Sequence, residues 1–161
     1  MRDKIRFLIM DVDGTLTDGK IYMGEQGELF KAFDINDVCG IKDILPRYGI
    51  IPIIITARYS MITECRCREL CITELYQGIN NKKTKLDEII REYFRKTGKK
   101  ISYSNFAYIG DDILDLQCMA PIHDAGGIIG CPADAVNEVK NIADFISVKN
   151  GGGGAVREFI D

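Results

Sequence analysis

The sequence predicts an α/β fold built on a doubly wound, mostly parallel sheet with an inserted β-hairpin. Three observations carry that expectation. Apolar runs at 5–10, 51–55 and 106–109 each stop abruptly at polar residues, as strands buried on both faces do. Stretches of helical periodicity separate these runs, and strands alternating with helices pair in parallel through crossover connections. The chain has 161 residues, 46% of them hydrophobic and 28% charged, an ordinary composition for one core that buries about 70% of the unfolded chain's surface.

The elements follow in order. Met1-Arg-Asp-Lys leads straight into the apolar run 5–10, without the pattern of a signal peptide, and that strand ends at Asp11. Lys20 to Phe33 alternates around Gly24-Glu-Gln-Gly27 and predicts a hairpin, with Tyr22 on one arm and Leu29 and Phe30 on the other. Asp37 to Tyr48 has helical spacing through Ile41, Ile44 and Leu45, with Pro46 near its end. The run 51–55 ends at Thr56, a helix over 59–70 follows, and 74–76 is a short strand. Asn81 to Lys96 predicts a long helix whose apolar stripe is Leu86, Ile89, Ile90, Tyr93 and Phe94. The strand 106–109 ends at Gly110-Asp-Asp112, and a helix begins at Ile113. A short segment at 127–129, a last helix over 132–140 and a last strand over 145–148 complete the pattern. The expected organisation is one domain over 1–161, with the hairpin at 20–33 and a glycine-rich tail at 150–161.

Composition excludes several classes. A net charge of −3 leaves no basic footprint for nucleic acid. No apolar run approaches the ~20 residues of a membrane span, so the chain reads as cytoplasmic. Six cysteines are too few for a disulfide scaffold. Cys65, Cys67 and Cys71 lie within a helical pattern without the paired spacing of a zinc site, and read as reduced, buried thiols. His123, the one histidine, lies in a loop-like stretch and reads as a surface or packed ring.

In an open α/β sheet, ligands bind beyond the carboxyl ends of the strands, and those ends carry the polar residues here. Asp11 and Asp13 follow the first strand, Thr56 and Arg58 the second, and Asp111, Asp112 and Asp115 the fourth, while Lys82 opens the helix after the third. Carboxylates crowded at one edge repel: a pair about 4 Å apart costs about 4 kcal/mol at an effective dielectric of about 20. A hard cation such as Mg²⁺ relieves this and suits oxygen ligands with open water positions. Lys82 and Thr56 offer a positive charge and a hydroxyl to phosphate oxygens, and a carboxylate nucleophile would split phosphoester hydrolysis into two easier steps. The first loop is no calcium loop, because Leu16 and Tyr22 stand where such a loop needs glycine and glutamate.

Asp11-Val-Asp-Gly-Thr15, Thr56, Lys82 and Gly110-Asp-Asp112, in that order, resemble the four motifs of the haloacid dehalogenase superfamily, with its Rossmann-like sheet. The resemblance implies that Asp11 is the nucleophile, Asp13 the general acid and base, and Thr56 and Lys82 the phosphate-binding catalytic pair. It implies a Mg²⁺ site on Asp11, the backbone carbonyl of Asp13 and Asp111, with Asp112 in a second-sphere or water-mediated contact. The intervals from Asp13 to Thr56 and from Thr56 to Lys82 are already filled, so no cap domain is expected.

The hairpin, Thr56-Ala-Arg58, Leu75-Tyr-Gln-Gly78 and the tail Gly151 to Glu158 make the chain similar to the uncapped 3-deoxy-D-manno-octulosonate 8-phosphate phosphatases. That likeness implies a phosphorylated sugar-acid substrate bound by Thr56, Arg58, Gly78, Lys82 and Arg66. It also implies a homotetramer whose hairpins form a barrel and whose active sites are closed by neighbouring subunits. Arg58 stands where phosphatases of nonulosonic acid 9-phosphates often carry glutamate. Asn36-Asp37-Val38, Cys71 and Gly153 depart from the pattern. A nonulosonate phosphatase, an accessory domain of sugar-acid nucleotide activation and a protein phosphatase are the alternatives. A signalling receiver domain is disfavoured, since there the acidic pair precedes the lysine. The four glycines read either as a flexible tail or, by resemblance, as backbone lying close to a phosphate or a neighbouring subunit.

Overall fold

A computed structural model describes residues 4–161; the lead segment 1–3 lies outside the described residues. The strands are β1 (Phe7–Met10), β2 (Tyr22–Gly24), β3 (Gly27–Phe30), β4 (Ile51–Ile55), β5 (Glu74–Tyr76), β6 (Phe106–Ile109), β7 (Ile128–Cys131) and β8 (Phe145–Ile146). The α-helices are α1 (Ile35–Cys39), α2 (Met61–Glu69), α3 (Lys82–Thr97), α4 (Leu116–Asp124), α5 (Asn137–Lys140) and α6 (Ala155–Ile160). Six strands form one parallel sheet in the order β5-β4-β1-β6-β7-β8, and β2 pairs only with β3, antiparallel.

Alternation along the central strands divides the core into two layers. Phe7 and Ile9 of β1, with Phe106 and Tyr108 of β6, face Leu86, Ile89, Cys118, Met119 and Ile122 of α3 and α4. Leu8 and Met10, with Ala107 and Ile109, face Ile41, Leu45, Cys67, Leu70 and Val156 on the opposite side. Every strand residue of β1 and β6 is buried. β1 lies between β4 and β6, where successive connections run in opposite directions, and the carboxyl ends of those three strands open one crevice.

Several local expectations are corrected. The helix expected over 37–48 starts earlier, at Ile35, because the Asp34 side chain caps the Asn36 amide. It then relaxes into a π turn at Gly40–Ile44 and a 3-10 turn at Leu45–Tyr48 with Pro46 in its first turn. Phe94 is 48% exposed and leaves the buried stripe of α3. The helix expected over 132–140 is a single turn, α5 at Asn137–Lys140, and the strand expected over 145–148 is two residues, Phe145–Ile146. Cys67, Cys118 and Cys131 are buried, but Cys65 and Cys71 are exposed. The tail is ordered: Val156 of α6 is in the core, and the Asp37 carboxylate accepts the Arg157 amide in the first turn of α6.

Candidate active site

Strand β1 delivers Asp11 to the crevice, and the chain then folds into a tight loop. The Val12 carbonyl accepts the amides of Thr15, Leu16 and Thr17, which leaves the Asp13 carbonyl out of the loop's own bonding. Gly14 takes φ +93°, and a Cβ there would come within 2.1 Å of Asp111 Oδ2, so glycine is required for the loop to meet the end of β6. Thr15 completes that junction by donating to Asp111 Oδ1 at 2.8 Å.

Beyond β6, Asp115 organises the site from beneath. Its Oδ2 accepts the amides of Asp111 and Asp112 at 2.9 and 3.1 Å. Its Oδ1 accepts Tyr108 Oη and Lys82 Nζ, each at 2.7 Å. Lys82 begins α3, which is capped by Asn81 and anchored where the Lys82 amide donates to Gln117 Oε1. The ammonium also reaches Asp11 Oδ1 at 3.0 Å. Lys82 is thus buried between two carboxylates: burial works to lower its pKa, but the charges of Asp115 and Asp11 hold it above the ordinary lysine value.

The carboxylates are pushed the other way. Burial, then the charge of Asp115, raise Asp11 to about 7 despite Lys82. Burial likewise raises Asp111 to about 8, against the Thr15 hydrogen bond and with repulsion from Asp115, Asp11 and Asp112. Asp11, Asp111 and Asp115 each present an oxygen within 4.8 Å of the other two. Hard oxygen donors whose ionised forms are unstable together fit a Mg²⁺ ion. Both oxygens of Asp115 are already occupied by Lys82, Tyr108 and two amides, so the carboxylates with an oxygen left for a cation are Asp11 and Asp111, beside the Asp13 carbonyl, which accepts no backbone hydrogen bond among the described residues.

The other sequence-derived positions are distributed unevenly. Thr56 is buried at the end of β4, its amide bonded to Tyr76 and its carbonyl to Ile79. Asp112 turns outward, caps the Ile113 amide and stands outside the carboxylate cluster, where Asp115 lies instead. Asp13 bonds not to the cluster but to Lys31 Nζ, at 2.5 Å. Arg58 lies 3.2 Å from Glu28 of β3. Gly78 holds a left-handed turn after β5, at φ +70°. Arg66 pairs with Glu69 and stacks over Phe33 rather than standing free in solvent.

Sequence reasoning did not single out Thr15, Lys31, Glu28, Tyr108 or Gln117 as site residues, and noted Asp115 only by position. The glycine tail also belongs here. Gly152 donates to the Thr15 carbonyl, and a Cβ on Gly151 would lie 1.9 Å from the Gly14 carbonyl oxygen. The tail therefore packs against this chain's own first loop.

No family model matches the chain. Similarity to known proteins nevertheless spans nearly all of this chain. The chain is 40% identical over 159 residues to the 3-deoxy-D-manno-octulosonate 8-phosphate phosphatase of Escherichia coli, covering 99% of this chain and 79% of that protein. The crystal structure of the phosphatase of that name from Yersinia pestis superposes with a TM-score of 0.88 at 39% identity, covering 99% of this chain and 80% of that one. The Moraxella catarrhalis phosphatase, solved with magnesium, phosphate and KDO, gives a TM-score of 0.85 at 36% identity, covering 99% and 85%.

Proposed function

The chain belongs to the 3-deoxy-D-manno-octulosonate 8-phosphate phosphatase family of the haloacid dehalogenase superfamily, and from that premise we propose that it hydrolyses this sugar-acid phosphate through an aspartyl phosphate on Asp11. The observation that carries the reading is the buried triad of Asp11, Lys82 and Asp115, with Nζ 3.0 Å from Asp11 and 2.7 Å from Asp115. It fixes a carboxylate beside a permanent positive charge at the end of β1, where a phosphate oxygen gains most from it.

In the first step an Asp11 oxygen attacks phosphorus and the ester bond to the sugar breaks. The departing oxygen takes a proton from Asp13, giving an acyl phosphate and the free alcohol. In the second, water loses a proton to Asp13 and attacks the same phosphorus, releasing phosphate and restoring Asp11. Lys82 and Thr56 hold phosphate oxygens through both steps. Asp11, Asp111 and the Asp13 carbonyl would hold Mg²⁺, with Asp112 reaching it only through water. The ion supplies neutralisation of carboxylate and phosphate charge.

Arg58, beside Glu28 of the hairpin, and Arg66, on α2 over Phe33, are the arginines proposed for the substrate carboxylate, and Gly78 leaves open space beside its backbone. Arginine at 58 rather than glutamate supports an octulosonate over a nonulosonate. One hydrolase domain over 1–161 working as a cytoplasmic homotetramer is consistent with two observations. Met23, Leu29 and Phe30 of the hairpin are 61%, 63% and 50% exposed, an apolar surface suited to other copies of the same hairpin. No described helix is long and apolar enough to cross a membrane. Phosphate release from a panel of sugar-acid phosphates, simple sugar phosphates and phosphopeptides, with and without chelator, tests the substrate. Preference for a phosphopeptide would refute it.

A further inference from the structure

Lys31, at the foot of the hairpin just after β3, has a side chain only 2% exposed. An ammonium so deeply buried needs compensating charge. Two carboxylates supply it: Asp13 Oδ1 at 2.5 Å and Glu28 Oε2 at 3.1 Å. Glu28 is itself tethered, its Oε1 accepting Ser60 Oγ at 2.7 Å while Arg58 lies 3.2 Å from Oε2. Ser60 in turn caps α2, so the lysine is held between the hairpin, the helix after β4 and the loop after β1. The network commits one Asp13 oxygen, and Oδ2 accepts no hydrogen bond among the described residues.

We propose that Lys31 is a positioning residue: it pins Asp13 by Oδ1, turning Oδ2 to the leaving-group oxygen, and Glu28 keeps it there. The proposal rests on the reading of Asp13 as the general acid. The proton to the departing alcohol then passes from Oδ2, and in the second step the same atom takes the proton of the attacking water. The hairpin is thereby coupled to proton transfer and not only to subunit contacts.

The experiment separates loss of acid catalysis from loss of structure by varying the leaving group. kcat/KM covers phosphoryl transfer to Asp11 and ester cleavage. It is measured with the sugar-acid phosphate, with glycerol 1-phosphate, whose alcohol needs a proton to leave and which lacks a carboxylate, and with p-nitrophenyl phosphate, whose phenolate leaves without one. Lys31→Met is expected to lower kcat/KM about 10- to 100-fold on both alkyl phosphates and less than about 3-fold on the aryl phosphate, a fraction of what a general acid contributes. Glu28→Gln is expected to move the ratio the same way by a smaller factor, and Lys31→Arg to restore most of it.

Equal losses on alkyl and aryl phosphates would make Lys31 a structural anchor, and a loss confined to the sugar acid would make it a substrate contact. Either result overturns the proposal. Asp13→Asn, measured in parallel, isolates the premise. If it discriminates strongly between leaving groups while Lys31→Met and Glu28→Gln do not, the positioning role alone fails. If it does not discriminate, Asp13 is not the acid and both fall. Unfolding curves for each variant confirm that the folded enzyme is being compared.

Discussion

Lys82 and Asp115 form an ion pair at 2.7 Å in which each side chain is 1% exposed. Such a pair adds little net stability over an apolar replacement, but breaking it strands a buried charge. Asp115→Ala is therefore expected to lower unfolding free energy by about 3–5 kcal/mol. Denaturant unfolding checks this, and a change below about 1 kcal/mol would mean that water or Asp11 compensates Lys82 fully.

The carboxylate cluster makes metal affinity depend on pH. Asp11 and Asp111 are held up to about 7 and about 8 in the absence of a cation, by burial first and then by neighbouring carboxylates. Mg²⁺ must displace those protons, so apparent affinity is expected to rise roughly tenfold or more from pH 6 to pH 8. Calorimetry in buffers of different ionisation enthalpy reads the release of protons directly.

Asp37 gives a stability signature away from the site. Burial raises it from 3.8 to about 6, more than the Arg157 amide, Lys149 and Arg66 lower it. The folded state thus keeps a proton that the unfolded chain releases, and this group's contribution to stability is lost as pH rises from about 4 to about 6. Asp37→Asn retains an acceptor for the Arg157 amide without the buried charge. It is expected to be about 1–3 kcal/mol more stable to unfolding than the parent at pH 8, with no difference near pH 4. A less stable variant at pH 8 would mean that the charge pairs productively with Arg66 and Lys149.

The tail supplies a steric test. A methyl group on Gly151 would lie 1.9 Å from the Gly14 carbonyl oxygen, so Gly151→Ala must push the tail and the loop that carries Asp13 apart. A fall in kcat of at least about 10-fold is expected, since catalysis tolerates little misplacement. Removing the chain from Gly151 onward goes further, because Ala155 and Val156 are fully buried; it is expected to lower the melting temperature as well as turnover.

What the sequence made legible follows from physical constraint. β1, β4 and β6 could be read because their apolar runs end where polar chemistry begins, and parallel pairing brings those ends together. Asp115 was harder to assign: three residues past Asp112, it looks like a solvated first-turn acid, and only the fold turns it beneath Lys82. Lys31 was invisible for a related reason. In an alternating hairpin a lysine reads as edge solvation, whereas the chain bends so that Lys31 meets a carboxylate 18 positions earlier. The tail was ambiguous because glycine has no side chain to show whether its backbone packs. Gly14 and Thr15, on the facing loop, decide it.

A covalent phosphate on Asp11 is trapped by quenching the enzyme during turnover of the sugar-acid phosphate, reducing it with labelled borohydride and mapping the peptides. The label is expected on the peptide carrying Asp11, converted to homoserine, and is expected to be absent from Asp11→Asn. Full turnover with no label at Asp11, or undiminished activity in Asp11→Asn, would rule out Asp11 as the nucleophile.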